Sequence, residues 1–225
     1  MAEIDQRRIE RAVHEILLAI GEDPSRPGIE RTPQRVAEAY AEFFSGQGVD
    51  PVALLGDAVP TGSELGLEGS DAGEPAPSDA IILRDIDFRS VCEHHLLPFV
   101  GTAHVAYVPG ERVVGLGRIP AVVAALSNRP QVQERLTDEI ADTLVAGLAP
   151  KGVLVVLDAQ HRCVTTRGSR QERSSTVTVA SRGVLADPVG RAEVIALIGA
   201  GHGGAAGSAG SPGSAGAARP GAEDA

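Results

Sequence analysis

The sequence predicts an α+β fold, an antiparallel sheet with helices on one face, preceded by N-terminal helices. Two observations carry this prediction. Apolar residues recur at helical spacing in two early segments, in the middle of the chain and near residue 190, while β-branched apolar runs with turn signals fall between them. The resulting order is helices, two or three strands, two helices, two strands and a closing helix, which suits such a sheet. A chain of 225 residues buries a real core, so a single main domain with appendages is expected.

Residues 1–55 read as an N-terminal helical region. Ile9, Val13, Ile16, Leu17 and Ile20 form one stripe, and Gly21 ends the run. In GIERTPQRVAEAYAEFF, Thr32 fits an N-cap and Pro33 the first helical position, with Val36, Tyr40 and Phe43 or Phe44 as the buried stripe. Residues 56–79 are rich in Gly, Pro, Ser and acid, with too few apolar groups to offset ordering, and read as a flexible acidic loop. Residues 80–199 form the main domain. Its strands are expected at 80–87, 101–108 and 111–116, the last two joined as a hairpin through Pro109 and Gly110. Helices follow at 119–127 and 131–148, the second with Val132, Leu136, Ile140 and Leu144 on one face. The apolar run 152–160 and the segment 174–181 are strands, and Asp187 with Pro188 opens a last helix reaching Ile198. Residues 200–225 are a low-complexity Gly/Ala/Ser tail, expected to be disordered. A sheet this small, with an uncovered face and exposed edges, calls for partners, and a homo-oligomer is expected.

Composition excludes several classes. The formal charge of −10 repels a phosphate backbone, and no basic run offsets it. Trp is absent and aromatic residues are scarce, so no base-stacking platform is available, and no nucleic-acid partner is expected. An anionic ligand must therefore be small and met locally by arginines, since Lys151 is the only lysine. No long apolar stretch and no secretory leader is present in the sequence, which reads as a cytoplasmic protein with no membrane partner.

Chemistry concentrates around Cys92 and Cys163, the only two cysteines. They could form a disulfide, remain free or share a metal. Their neighbours favour the metal. In SVCEHHLLPF, Cys92 and His95 stand at C-x-x-H spacing after a strand, and in DAQHRCVTTRG, His161 and Cys163 lie two apart at a strand end, pointing to the same side. Thiolate and imidazole suit Zn²⁺; three protein ligands leave the fourth position open, as in catalytic sites, whereas a fourth ligand from His94 or His161 would close a structural one. A histidine beside the metal can shuttle protons near neutral pH or orient the ligands. His94 and His161 are the candidates. His104 reads as a packed or surface residue.

The runs CEHHLLPFVGTAHVAYVPG (92–110), RPQVQERLT (129–137) and HRCVTTRG (161–168) together resemble the GTP cyclohydrolase I family. With GIERTPQRVAEAY and SRGVL, the resemblance spans roughly residues 10–198. It implies a tunnelling fold and a toroidal homo-oligomer, typically a decamer, with active sites at subunit boundaries. It implies Zn²⁺ on Cys92, His95 and Cys163, hydrolytic attack at guanine C8, loss of formate and a later rearrangement to 7,8-dihydroneopterin triphosphate. His161 would protonate the imidazole-ring nitrogen, and His94 would move protons in ring opening and at the ribose. Glu134 matches the family's purine anchor, because a carboxylate accepts from both guanine N1–H and the 2-amino group; Gln133 beside it joins the substrate-binding set. Arg118 and Arg167 match phosphate ligands.

Three positions depart from the family pattern. Gly117 replaces a serine used near the ribose, and Ala121 replaces an arginine, while Arg118 stands for a lysine. Residues 56–79 also hold no lysine for phosphate. Weaker triphosphate binding is expected. The departures keep open a paralogue with an altered substrate phosphate state, one that stops at a ring-opened intermediate, or a non-catalytic member that binds metal and assembles with an active enzyme.

Overall fold

In the computed structural model, which describes residues 4–60 and 80–200, the chain enters helix through an Asp5 cap. Its carboxylate accepts from the Arg8 N–H at 2.9 Å, satisfying one of the donors a helix start leaves open. Helix α1 (Gln6–Ala19) packs on α2 (Thr32–Phe43), yet of its apolar stripe only Leu17 is buried. Ile16, Leu18 and Ile20 remain exposed. Arg31 rather than Thr32 flanks α2, without a side-chain cap; Pro33, fixed in φ, starts that helix instead. The expected acidic loop from residue 61 onward and the tail from residue 201 lie outside the described residues.

After a short 3-10 turn at Ala53–Leu55 and β1 (Val59–Pro60), the main domain runs through β2 (Ile81–Cys92), β3 (Pro98–Val108), β4 (Arg112–Val113), α3 (Arg118–Ser127) and β5 (Pro130–Gln131). It continues with α4 (Gln133–Leu148), β6 (Gly152–His161), α5 (Arg162–Thr165), β7 (Thr176–Gly183) and α6 (Pro188–Ala200). The principal sheet has the order β5-β2-β3-β6-β7. All its long pairings are antiparallel, and only the short β5 joins in parallel.

Alternation along the strands divides the sheet into two faces. Ala103, Val105 and Tyr107 of β3 and Val153, Val155 and Leu157 of β6 pack beneath α3 and α4, against Ile119, Val122, Leu126, Leu136, Ile140 and Leu144. This is the expected helical layer. On the opposite face, Ala106, Val108 and Leu154 meet Leu185, Val194 and Ile198, so α6 covers one end of that face. Asp187 caps α6 by accepting from the N–H groups of Val189 and Gly190, at 2.9 and 3.2 Å. The rest of the face is open, with Val177 and Val179 exposed on the edge strand.

The expected 101–108/111–116 hairpin does not form. Both edges of β3 are already taken, by β2 and β6, so Arg112–Val113 pairs with Val59–Pro60 instead. Gly110 redirects the chain by close approach to the α4–β6 connection: a Cβ there would lie 2.6 Å from the Ala149 carbonyl oxygen. Beyond that point, the Lys151 N–H donates to the Val108 carbonyl and its own carbonyl accepts from Val184, both at 2.9 Å. Strand β2 is also longer than expected, reaching Cys92 itself.

Candidate active site

The turn joining β2 to β3 is built to hold side chains still. The Cys92 N–H donates to the Leu97 carbonyl at 2.9 Å, the Leu96 N–H donates back to the Cys92 carbonyl at 2.8 Å, and the Glu93 N–H reaches the Gln131 carbonyl of β5 at 3.0 Å. Leu96 takes the left-handed conformation, φ +51°, to close the turn. Cys92 is thereby buried at the strand end while His94 and His95 stay exposed. The second segment differs from its expected geometry. Strand β6 ends at His161, and Cys163 sits in the single helical turn α5, so helical winding rather than strand alternation carries the thiol round.

These two segments meet at the same end of the sheet, where Phe99 of β3 pairs with His161 of β6 and their rings stack at 4.6 Å, 6° from parallel. The sulfurs of Cys92 and Cys163 and a ring nitrogen of His95 all lie within 4.8 Å of one another. Tetrahedral Zn²⁺ with its usual bond lengths separates such donors by about 3.5–3.8 Å, so a closure of about an ångström completes the cage. Both cysteines are free thiols. Burial pushes the Cys163 thiol up, and the adjacent Cys92 sulfur adds to this, with the Arg167 charge opposing. A cation bound between the two sulfurs would offset the burial and the neighbouring sulfur that disfavour the Cys163 thiolate. The donor set fits a metal.

Around the cluster stand the other residues expected from sequence. His161 is partly buried; desolvation lowers its basicity, while the nearby Glu134 carboxylate raises it. Glu134 is exposed in the first turn of α4. His94 is exposed, its Nε2 4.0 Å from Glu93. Arg167 follows α5 closely enough to act on Cys163. Arg118 opens α3 with its guanidinium lying against Gly56, so its charge comes from the helical layer and not from the cysteine segments. Gln133 is brought to the site but faces inward, only 1% exposed, its amide oxygen 2.7 Å from His161 Nε2.

Five residues were not foreseen: Phe99 stacked on His161, and Gln131, Arg135, Glu139 and Glu93 of a polar bridge under the metal turn. Gln131 donates to Glu139 at 2.8 Å and accepts from Arg135 at 3.1 Å, and Arg135 pairs with Glu93. Gln131 meets them from β5, whereas the Arg135–Glu139 spacing of four within α4 is a helical signal visible in sequence. The Glu93 link, across the fold, is not. A surface hollow of about 630 Å³, lined partly by Asp87, Thr102 and Asp158, has neither cysteine in its lining.

An α+β chain that gathers two thiols and an imidazole within 4.8 Å defines a protein with a candidate metal site. The chain belongs to the GTP cyclohydrolase I family, whose family model matches residues 9–199. It is similar to the GTP cyclohydrolase 1 of Leifsonia xyli subsp. xyli, 60% identical over 201 residues that cover 89% of this chain and 99% of the relative. It is also similar to those of Caldanaerobacter subterraneus subsp. tengcongensis, 47% identical over 87% of this chain and 97% of the relative, and Bacillus subtilis, 45% identical over 87% and 96%. Among solved structures, the archaeosine synthase QueF-Like in its apo form covers 49% of this chain and 97% of its own, with a TM-score of 0.39 and 18% identity. E. coli dihydroneopterin aldolase in complex with neopterin covers 47% and 99%, with a TM-score of 0.37 and 13% identity. The sequence relationship is the stronger of the two kinds. It makes the chain a hydrolase of a metal-dependent family that binds a guanine nucleotide. No helix among the described residues is long and apolar enough to cross a membrane.

Proposed function

We propose that this chain hydrolyses the guanine imidazole ring of GTP at C8, releasing formate and leading to 7,8-dihydroneopterin triphosphate, with Zn²⁺ held by Cys92, His95 and Cys163. The gathering of their three donor atoms within 4.8 Å, beside His161, is the observation that carries the reading. When bound, Zn²⁺ acts as a Lewis acid that makes water nucleophilic near neutral pH.

The protein's own groups do the rest. Glu134, exposed at the start of α4 and near enough to His161 to act on its charge, anchors the base by accepting from guanine N1–H and the 2-amino group. Adenine lacks that donor pair. His161 delivers a proton to the imidazole-ring nitrogen as C8 is attacked. His94, solvent-exposed on the metal turn, moves protons in ring opening and at the ribose. Arg118 and Arg167 hold phosphate. The enzyme works as a homo-oligomer in the cytoplasm, a decamer by family likeness. Neighbouring copies would enclose a site that one chain leaves open.

A second reading rests on Gly117, which is exposed and places nothing in the space a side chain would fill. Together with Ala121 it removes a hydroxyl and a cation from the segment leading into α3. A paralogue that acts on another phosphate state, or stops after ring opening, follows from that loss. Purified protein incubated with GTP, GMP and guanosine separates the two when formate and pterin fluorescence are measured independently, with zinc content determined on the same sample. Formate and fluorescence in step from GTP are expected. Formate without fluorescence moves the assignment to the second reading, and zinc without formate leaves only a non-catalytic member.

A further inference from the structure

We infer that Gln133 is a positioning residue that fixes the ring proton of His161 on Nε2, so that Nδ1 is the nitrogen that exchanges a proton with substrate; this rests on the role proposed above for His161.

Gln133 opens α4 but is 1% exposed, too deep for its side chain to meet a ligand. Its amide nitrogen lies 2.8 Å from the Thr176 carbonyl oxygen and 3.2 Å from that of Leu157. Both are pure acceptors. With the amide reversed, its oxygen would face two carbonyl oxygens with no proton between them, so the nitrogen must occupy that side. The surrounding hydroxyls agree. Thr137 donates its one proton to the main-chain carbonyl of Gln133 at 2.7 Å, so in the 2.6 Å contact between Thr137 and Thr178 the donor is Thr178. A Thr178 lone pair then also faces the Gln133 amide nitrogen at 3.1 Å, whose two hydrogens it shares with the two carbonyls.

With the nitrogen so committed, the Gln133 oxygen is turned towards His161 Nε2 at 2.7 Å. An amide oxygen only accepts. Nε2 must therefore carry the hydrogen, and the proton that moves in the reaction comes and goes at Nδ1. The Phe99 ring, stacked at 4.6 Å, holds the imidazole plane while this bond sets its rotation. Three strands and a helix thus agree on one ring orientation before any substrate arrives.

The test is solid-state ¹⁵N spectroscopy of the full-length, metal-loaded protein carrying ¹⁵N-labelled histidine, with the His161 signals identified by their loss in His161→Asn. The unaltered chain is expected to show His161 protonated on Nε2, and Gln133→Met to lose that preference. Hydrolysis of GTP by Gln133→Met is expected to fall about 10–100-fold in kcat, the usual effect of removing such an orienting partner, with KM unchanged. His161 protonated on Nδ1 in the unaltered chain overturns the inference even if the variant fails to fold. So does a Gln133→Met enzyme with raised KM and unchanged kcat, which would make Gln133 a substrate contact. Failure of the unaltered chain to release formate counts against the proposed function alone, because the tautomer is read without substrate.

Discussion

At the scale of single residues, the site divides into groups that hold and groups that react. Glu134, proposed as the anchor of the base, belongs to the first kind: it is exposed, at a helix start, and near enough to His161 for its charge to be felt there. Glu134→Gln keeps the shape but removes the charge and one acceptor. Hydrogen bonds to charged groups contribute about 1.5–3 kcal/mol, so kcat/KM for GTP should fall about 10–100-fold, measured by steady-state formate release; an unchanged value would remove Glu134 from the role of base anchor. The positions of Cys92, His95 and Cys163 were legible in the sequence because ligand chemistry restricts residue type so strongly. The inward turn of Gln133 was not. Its burial depends on carbonyls of Leu157 and Thr176, on strands far along the chain, and nothing in QVQER announces them.

Among the elements, the long helices and central strands were readable from periodicity, and their centres fell where apolar spacing put them. The errors share a cause. Whether residues 111–113 pair with β3 or with β1 depends on who already occupies the edges of β3, a fact about the whole sheet. The helical turn α5 was missed because the three residues between His161 and Thr165 fit either period. One pairing matters most for the site. At Gly101, opposite Ala159, an added Cβ would lie 2.0 Å from the Asp158 carbonyl oxygen and 2.7 Å from the Ala159 Cα. Gly101→Ala must push β3 from β6 two residues from the Phe99–His161 stack. Overpacking of this kind costs about 1–3 kcal/mol, and chemical denaturation should show that loss together with reduced activity. Wild-type stability in this variant would mean the strands have slack that the close approach denies.

For the whole molecule, the telling feature is apolar surface left uncovered. Ile16, Leu18 and Ile20 are 58%, 49% and 71% exposed on α1, and Val177 and Val179 are 58% and 48% exposed on the edge strand. Exposed apolar surface of this kind points to association. Sedimentation should give a particle several times the mass of one chain, and replacing Val177 and Val179 together by aspartate should lower that mass; a monomeric unaltered chain would end the argument. The position of Lys151 has a consequence of a practical kind. Its side chain is exposed, just ahead of the start of β6, while His161 closes the same strand. A strand of 10 residues is about 33 Å long. Amine-reactive dyes or sensor surfaces coupled through the only lysine would therefore attach far from the metal-binding end of the chain that carries them.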